Sequence, residues 1–256
     1  MAVQVGVIGA GLMGSTHVRT LSASVPDAEV AAVSDAIRGS AERIAREAGV
    51  QTVYTDALGL IHDPGIDAVV IASPANTHEQ FVLACFEAGK PVLCEKPLAS
   101  SAAEALRVVQ AEVALKRRLI QVGYMRQFDP GYQEIQRIKD EGGVSAIVLN
   151  AAYGYHVQAE LVGRSGTVGL APPSLTLRNR DRAGGLSYPE NWVPRFADAY
   201  RRQLADWIGA VKTGAPVGAS AWDGYVASAI AEQIAAALAE AREATLKYAP
   251  RPPLYG

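Results

Sequence analysis

The sequence predicts an α/β protein, a doubly wound parallel sheet followed by a shortened α+β region with an antiparallel sheet. Three observations carry this. Short runs rich in Val, Ile and Ala alternate with helix-length amphipathic stretches as far as residue 123, the pattern of a parallel sheet covered on both faces. The first run stops at Gly9-Ala10-Gly11-Leu12-Met13-Gly14, glycines spaced G-x-G-x-x-G. After residue 123 the character changes to longer alternating runs divided by Gly and Pro, as expected of antiparallel strands. Residues 1–123 and 124–256 are therefore read as two domains, and right-handed crossovers leave the first little choice but double winding.

Val3–Ile8 is the first strand, and Thr16–Ala23 reads as the helix behind the glycines. Glu29–Ser34 is the second strand, ended by Asp35, with a helix over Ser40–Ala48. Thr52–Tyr54 and Ala68–Ile71 read as strands, with a short helix at Ala57–His62 and a longer one at Thr77–Ala88. Pro91–Cys94 and Leu119–Val122 complete the parallel set, and Ser100 or Ser101 caps the helix that runs to Lys116 between them. In the second region Asp129 and Pro130 suit the N-cap and first position of a helix reaching Glu141. Val144–Ala152 and Tyr155–Val162 read as an antiparallel pair, with Thr167–Leu170 and Leu175–Leu177 as short followers. Asn179–Pro194 reads as a loop, Pro194–Thr213 and Trp222–Glu243 as amphipathic helices, and Pro250–Gly256 as an extended tail.

Composition excludes several classes. The chain has 256 residues, 49% apolar and 20% charged, which suits a soluble globular protein with a sizeable core. A net charge of -2 provides no footprint for nucleic acid or an anionic membrane. No apolar run reaches the roughly 18 residues of a membrane span, and a strand beginning at Val3 leaves no room for a signal peptide. Cys85 and Cys94 have no metal spacing, so no metal is expected. They read as buried thiols of a reducing, cytoplasmic compartment.

The chemistry gathers where strands end. Gly9 permits the tight strand-to-helix turn, Gly11 lets backbone approach a phosphate, and Gly14 lets helix pack on strand; a pyrophosphate then sits on the helix N-terminus. Asp35 follows at the distance of the fingerprint's acidic residue, where it accepts from ribose hydroxyls and repels a 2′-phosphate, favouring NAD over NADP. Capping of the next helix is its competing role. Arg38 is the nearby group that could greet a phosphate, and Ile37 offers adenine an apolar wall. Ser73-Pro74-Ala75-Asn76-Thr77-His78 closes another strand beneath the expected nicotinamide ribose, where Asn76 or Thr77 also suits a cap. His78 reads as a structural hydrogen-bonder rather than a proton carrier. Glu95-Lys96-Pro97 follows the fifth strand, and the Lys96 ammonium there can stabilise an alkoxide. Tyr124 and Arg126 either flank a polar ligand or form a hinge, and Tyr155 and His156 either line substrate or meet another subunit.

Gly9–Gly14, Ser73–His78, Glu95–Pro97, Gly123–Arg126, Asn150–Tyr155 and Trp222-Asp223-Gly224-Tyr225 together resemble the Gfo/Idh/MocA oxidoreductases, over nearly the whole chain. The resemblance implies a Rossmann domain, then an open-faced antiparallel sheet that packs against partner subunits. It implies NAD-dependent oxidation of a secondary alcohol on a cyclitol or sugar. Lys96 matches the catalytic lysine, with Glu95 and Pro97 as its cofactor-side neighbours. Gly9, Gly11, Leu12, Met13, Gly14, Asp35, Ser73, Pro74, Asn76, His78, Glu95 and Lys96 form the implied cofactor set, and Tyr124, Arg126, Tyr155 and His156 the candidate substrate set. The chain departs from the family in one respect. Family members are longer, with an Asp-x-x-x-His helix whose Asp binds substrate and whose His takes the hydroxyl proton. Here no such pattern occurs, and the four histidines are His17, His62, His78 and His156. The shortening falls where Gly142-Gly143 joins the helix ending near Glu141 to the strand beginning near Val144. A catalytically impaired dinucleotide-binding or scaffold protein is thus the alternative. Loss of early strands exposes an apolar edge, so a homodimer or homotetramer through Val144–Leu177 is expected.

Overall fold

The computed structural model describes residues 1–139, 143–150, 155–163, 167–171, 177–180, 183–186, 188–243 and 245–256; for 138–139, 143–150, 156, 158–163, 177–180 and 183–186 the description is of backbone alone. In chain order the first elements are β1 (Val3–Ile8), α1 (Leu12–Ser24), β2 (Ala28–Ser34), α2 (Arg38–Ala48), β3 (Thr52–Tyr54), α3 (Ala57–His62), β4 (Ala68–Ile71), α4 (His78–Glu87), β5 (Val92–Cys94), α5 (Ala102–Leu115) and β6 (Ile120–Val122). All pairings are parallel, in the order β3-β2-β1-β4-β5-β6. The connection therefore reverses direction between β1 and β4, the switch point at which doubly wound sheets bind ligands.

Every residue of β4 is fully buried, because helices cover both faces of its strand. Val69 and Ile71 join Val82, Phe86 and Val108 on one face, while Val70 joins Val5, Val7 and Leu93 on the other. Each such side chain contributes about 1.5–3 kcal/mol of transfer free energy. Local signals set the helix ends. Asp56 caps α3 by accepting from Leu58 and Gly59 N–H, and Ser101, not Ser100, caps α5 through Glu104 N–H. Gly49 ends α2 in the left-handed region, at φ 75°. Ala75–Thr77 forms a 3-10 turn, so α4 starts at His78.

The second region opens with α6 (Pro130–Lys139), where Asp129 accepts from Tyr132 N–H. β7 (Gly143–Asn150), β8 (His156–Gly163) and β9 (Thr167–Gly169) form an antiparallel sheet in sequence order, with Gly143 opposite Gly163 and Asn150 opposite His156. The expected loop over 179–194 is corrected. β10 (Leu177–Arg180) and β11 (Ala183–Leu186) pair antiparallel, and α7 (Trp192–Arg195) follows under an Asn191 cap. Arg178 and Asn179 face Gly185 and Gly184, so the pairing is a main-chain one without the β-branched residues that mark strands. The proposed short strand at Leu175–Leu177 falls mostly outside the described residues; only Leu177 is described, as the start of β10.

α8 (Ala197–Thr213) and α9 (Ala221–Ala239) close the chain. By contacts the chain forms two compact units, one comprising Met1–Tyr124 with Gln203–Gly256 and the other Met125–Arg202. The reason is burial. Leu204, Trp207 and Ile208 share the cluster of Val5, Val7 and Leu93, while Trp222, Tyr225 and Ala229 share that of Leu98 and Val122. Ser220 and Asp223 form a reciprocal capping box that starts α9. The tail is not simply extended. Pro253–Tyr255 makes a short 3-10 turn, and the buried Tyr255 hydroxyl donates to Glu112 Oε2 at 2.8 Å.

Candidate active site at the strand ends

A cleft of about 800 Å³ opens at the carboxyl ends of the parallel strands, lined among others by Gly9, Gly11, Asp35, Ile37, Ser73 and Asn76. Its floor is the glycine turn. Gly9 has φ +99°, and a Cβ there would lie 2.5 Å from the Ala72 carbonyl oxygen. A Cβ on Gly14 would lie 1.8 Å from the Gly9 carbonyl oxygen, so α1 rests directly on the turn. Gly11 differs, because nothing lies within 4 Å of its Cβ position. It is exposed and is itself the N-cap of α1, with no side chain capping the helix. That is why α1 begins at Leu12 rather than Thr16. The bare helix start and its dipole face the cleft, a cradle suited to a phosphate.

Asp35 sits at the end of β2. Its Oδ2 accepts from Ala10 N–H and its Oδ1 from Ile37 N–H, each at 2.8 Å. Two backbone donors fix the carboxylate while leaving lone pairs for ribose hydroxyls. Arg38 pairs with Glu42 at 2.7 Å and is not among the cleft's lining residues. Ile37 is 68% exposed and lines the cleft as an apolar wall. The glycine cradle, open helix start and tethered carboxylate fit a dinucleotide.

β4 and β5 pair Ile71 with Cys94, and Glu95 N–H donates to Ile71 O at 2.9 Å. Ser73 and Lys96, each two residues beyond that pair, stand on adjacent strand ends. Ser73 and Thr77 hydroxyls share a bond of 2.7 Å, which fixes the Pro74 turn. Lys96 is exposed, and the Lys96–Pro97 peptide is cis. Leu12 is exposed and Met13 half-buried at the start of α1. Two residues of the expected cofactor set, Glu95 and His78, have partners within the protein. Glu95 is buried, with Oε1 2.8 Å from His17 Nε2. His78 is buried between carbonyl oxygens, 2.7 Å from that of Pro97 and 2.8 Å from that of Ser73. Both side chains support the cleft from beneath. His17 escaped the sequence reading, and its only signal was a histidine one turn beyond Gly14.

The candidate substrate residues divide. Tyr124 belongs to the first unit, where burial, with Asp223 adding, raises its phenol pKa. Arg126 and Tyr155 come together in the second, the guanidinium donating to the Tyr155 hydroxyl at 2.8 Å. Arg126 also lies 5.5 Å from the ring centroids of Tyr132 and Phe196. The side chain of His156 lies outside the described residues. Among the described residues no cluster of His, Cys, Asp or Glu could hold a metal, and no helix is long and apolar enough to cross a membrane.

Residues 3–124 match the model of the Gfo/Idh/MocA oxidoreductases, described as an oxidoreductase family with an NAD-binding Rossmann fold. Inositol 2-dehydrogenase 1 of Saccharopolyspora erythraea is 39% identical over 336 positions, covering 100% of this chain and 100% of that protein. The chain belongs to the Gfo/Idh/MocA family. Inositol 2-dehydrogenase of Acidothermus cellulolyticus is 33% identical, covering 93% of each chain. Myo-inositol dehydrogenase of Lactobacillus casei, solved with NAD(H) and myo-inositol, superposes with a TM-score of 0.89 at 27% identity, covering 100% of each chain. The alignment with the Saccharopolyspora protein spans 336 positions against 256 residues here, so about 80 aligned positions have no residue in this chain.

Proposed function

We propose that this member of the family transfers hydride between a secondary alcohol of a cyclitol, an inositol first among them, and NAD. The observation that carries the reading is the pairing of a dinucleotide cradle at Gly9–Gly14 with an exposed Lys96 on the strand end beside Ser73. The inositol 2-dehydrogenase names of relatives at 39% and 33% identity support the substrate class. In this reading Gly9, Gly11 and Gly14, with the start of α1 at Leu12 and Met13, hold the pyrophosphate. Asp35 takes the adenosine ribose. Ser73, Pro74 and Asn76 bear on the other ribose. When bound, the nicotinamide accepts the hydride. Lys96 donates to the reacting oxygen and stabilises the alkoxide left when the hydroxyl proton passes to a general base, because a positive charge at the strand end offsets the charge that develops there. Tyr124, Arg126, Tyr155 and His156 are proposed, by residue type alone, as the candidate substrate residues.

One observation favours a second reading. The chain has no Asp-x-x-x-His pattern, and about 80 aligned positions are missing. A general base contributes ~10²–10⁴-fold in rate, and a chain that binds NAD without turnover is what its loss would leave. Absorbance at 340 nm with NAD and a panel of cyclitols and sugars separates the two. NADH formation dependent on an inositol supports the dehydrogenase; cofactor binding without reduction on any panel member supports the binder and contradicts the first reading. Buried, unbridged Cys85 and Cys94 support a cytoplasmic setting. The β7–β9 sheet supports a homodimer or homotetramer, and a monomeric mass by light scattering would contradict that assignment.

A further inference from the structure

We infer that His17 and His78 are positioning residues that hold the Lys96 turn from its two sides. The inference rests on the cofactor reading above. Lys96 itself is exposed, but neither neighbour is free. On one side Glu95 turns inward and meets His17 at 2.8 Å, while its second oxygen accepts from Lys96 N–H at 3.3 Å. Both partners are buried, His17 completely. Gly123 makes the room, because a Cβ there would lie 2.9 Å from Glu95 Oε2. On the other side the Pro97 carbonyl faces the His78 ring, whose second nitrogen faces the Ser73 carbonyl. His17 thus ties the turn to α1, whose start cradles the pyrophosphate. His78 ties it to the Ser73 turn on the neighbouring strand. Three separate chain segments become one support, joined by two imidazoles that do not touch the cleft.

This arrangement has a selective consequence. The strand order puts Asp35 and the adenosine half on the β2 side of the switch point, and Ser73 and Lys96 on the β4–β5 side. Loosening the latches therefore disorders the nicotinamide side alone. α1 keeps its own anchors, since Val18 and Leu21 are buried independently of His17. Ordering a loosened turn is then charged to binding of the whole dinucleotide, not to a ligand that ends at the adenosine side.

The test is calorimetry with NAD and with ADP, which lacks the nicotinamide and its ribose, on the full chain and on His78→Ala and His17→Ala. Each variant is expected to bind NAD about tenfold more weakly, the worth of one hydrogen bond, and ADP within about twofold of the parent. Equal weakening of both ligands would reduce the histidines to general structural residues and overturn the inference, as would unchanged NAD binding. If an alanine variant shows no cooperative unfolding, His78→Gln and His17→Gln carry the same comparison, the amide keeping one of the bonds; the same selectivity for NAD is expected, and its absence overturns the inference. A parent chain that binds neither ligand would overturn the cofactor reading itself, an outcome distinct from failure of the latches, which leaves parent binding intact.

Discussion

Gly11→Ala separates the cradle's function from its stability. The backbone at Gly11 has φ -72° and ψ -164°, a conformation any residue adopts, and the added methyl would meet nothing within 4 Å. Alanine is a poorer N-cap than glycine by roughly 0.5–1 kcal/mol. It also restricts the unfolded chain, which returns about 0.4–1 kcal/mol. The two nearly cancel, so the melting temperature should stay within a few degrees of the parent. The methyl, however, stands where a pyrophosphate must approach the backbone. Losing one N–H bond to a charged phosphate costs about 1.5–3 kcal/mol, which weakens NAD binding by about 10- to 100-fold. Calorimetry with NAD and thermal unfolding by circular dichroism measure the two quantities. An unchanged dissociation constant in a normally stable variant would refute the placement of the phosphates.

Gly14→Ala should behave differently. Its Cβ, 1.8 Å from a backbone oxygen, must be moved by about 1.5 Å to reach an ordinary C···O distance, so stability should fall by about 1–3 kcal/mol along with NAD affinity; an unperturbed melting curve would contradict the close packing of α1 on the turn. Lys96→Met should lower kcat with an inositol by ~10²–10³-fold while leaving the NAD dissociation constant unchanged, and stopped-flow NADH formation reads the difference. Glu112 is buried, and desolvation raises its pKa above the ordinary 4.5 despite bonds from Leu119, Ile120 and Tyr255. A raised folded value means that its contribution is full below the unfolded pKa and is lost as pH rises through the folded one. Relative to Glu112→Gln, the parent should therefore lose stability between pH 4.5 and the folded pKa; a stability difference independent of pH in that window would contradict it.

The cleft was legible where a backbone conformation demands a residue type. The positive φ of Gly9, the contact at Gly14 and the Asp35 carboxylate on two N–H groups are local requirements, written in adjacent residues. The supports beneath were not. The His17–Glu95 pair joins residues 78 apart, and no local pattern announces it. Glu95 and His78 sit in motifs that promise contact with a ligand, yet burial turns both inward. The β10–β11 pair escaped because glycines opposite Arg and Asn carry no strand signature. α8 and α9 were recognisable as helices, but an apolar face does not say which sheet it covers, so the return of Gln203–Gly256 to the first unit had to come from packing.

Titrating the parent chain with NAD and with NADP in a calorimeter tests the central claim most directly. One NAD per chain should bind, with NADP weaker by about tenfold or more, because a tethered carboxylate at Asp35 repels a 2′-phosphate. No heat with either dinucleotide, or tighter binding of NADP, would contradict the account.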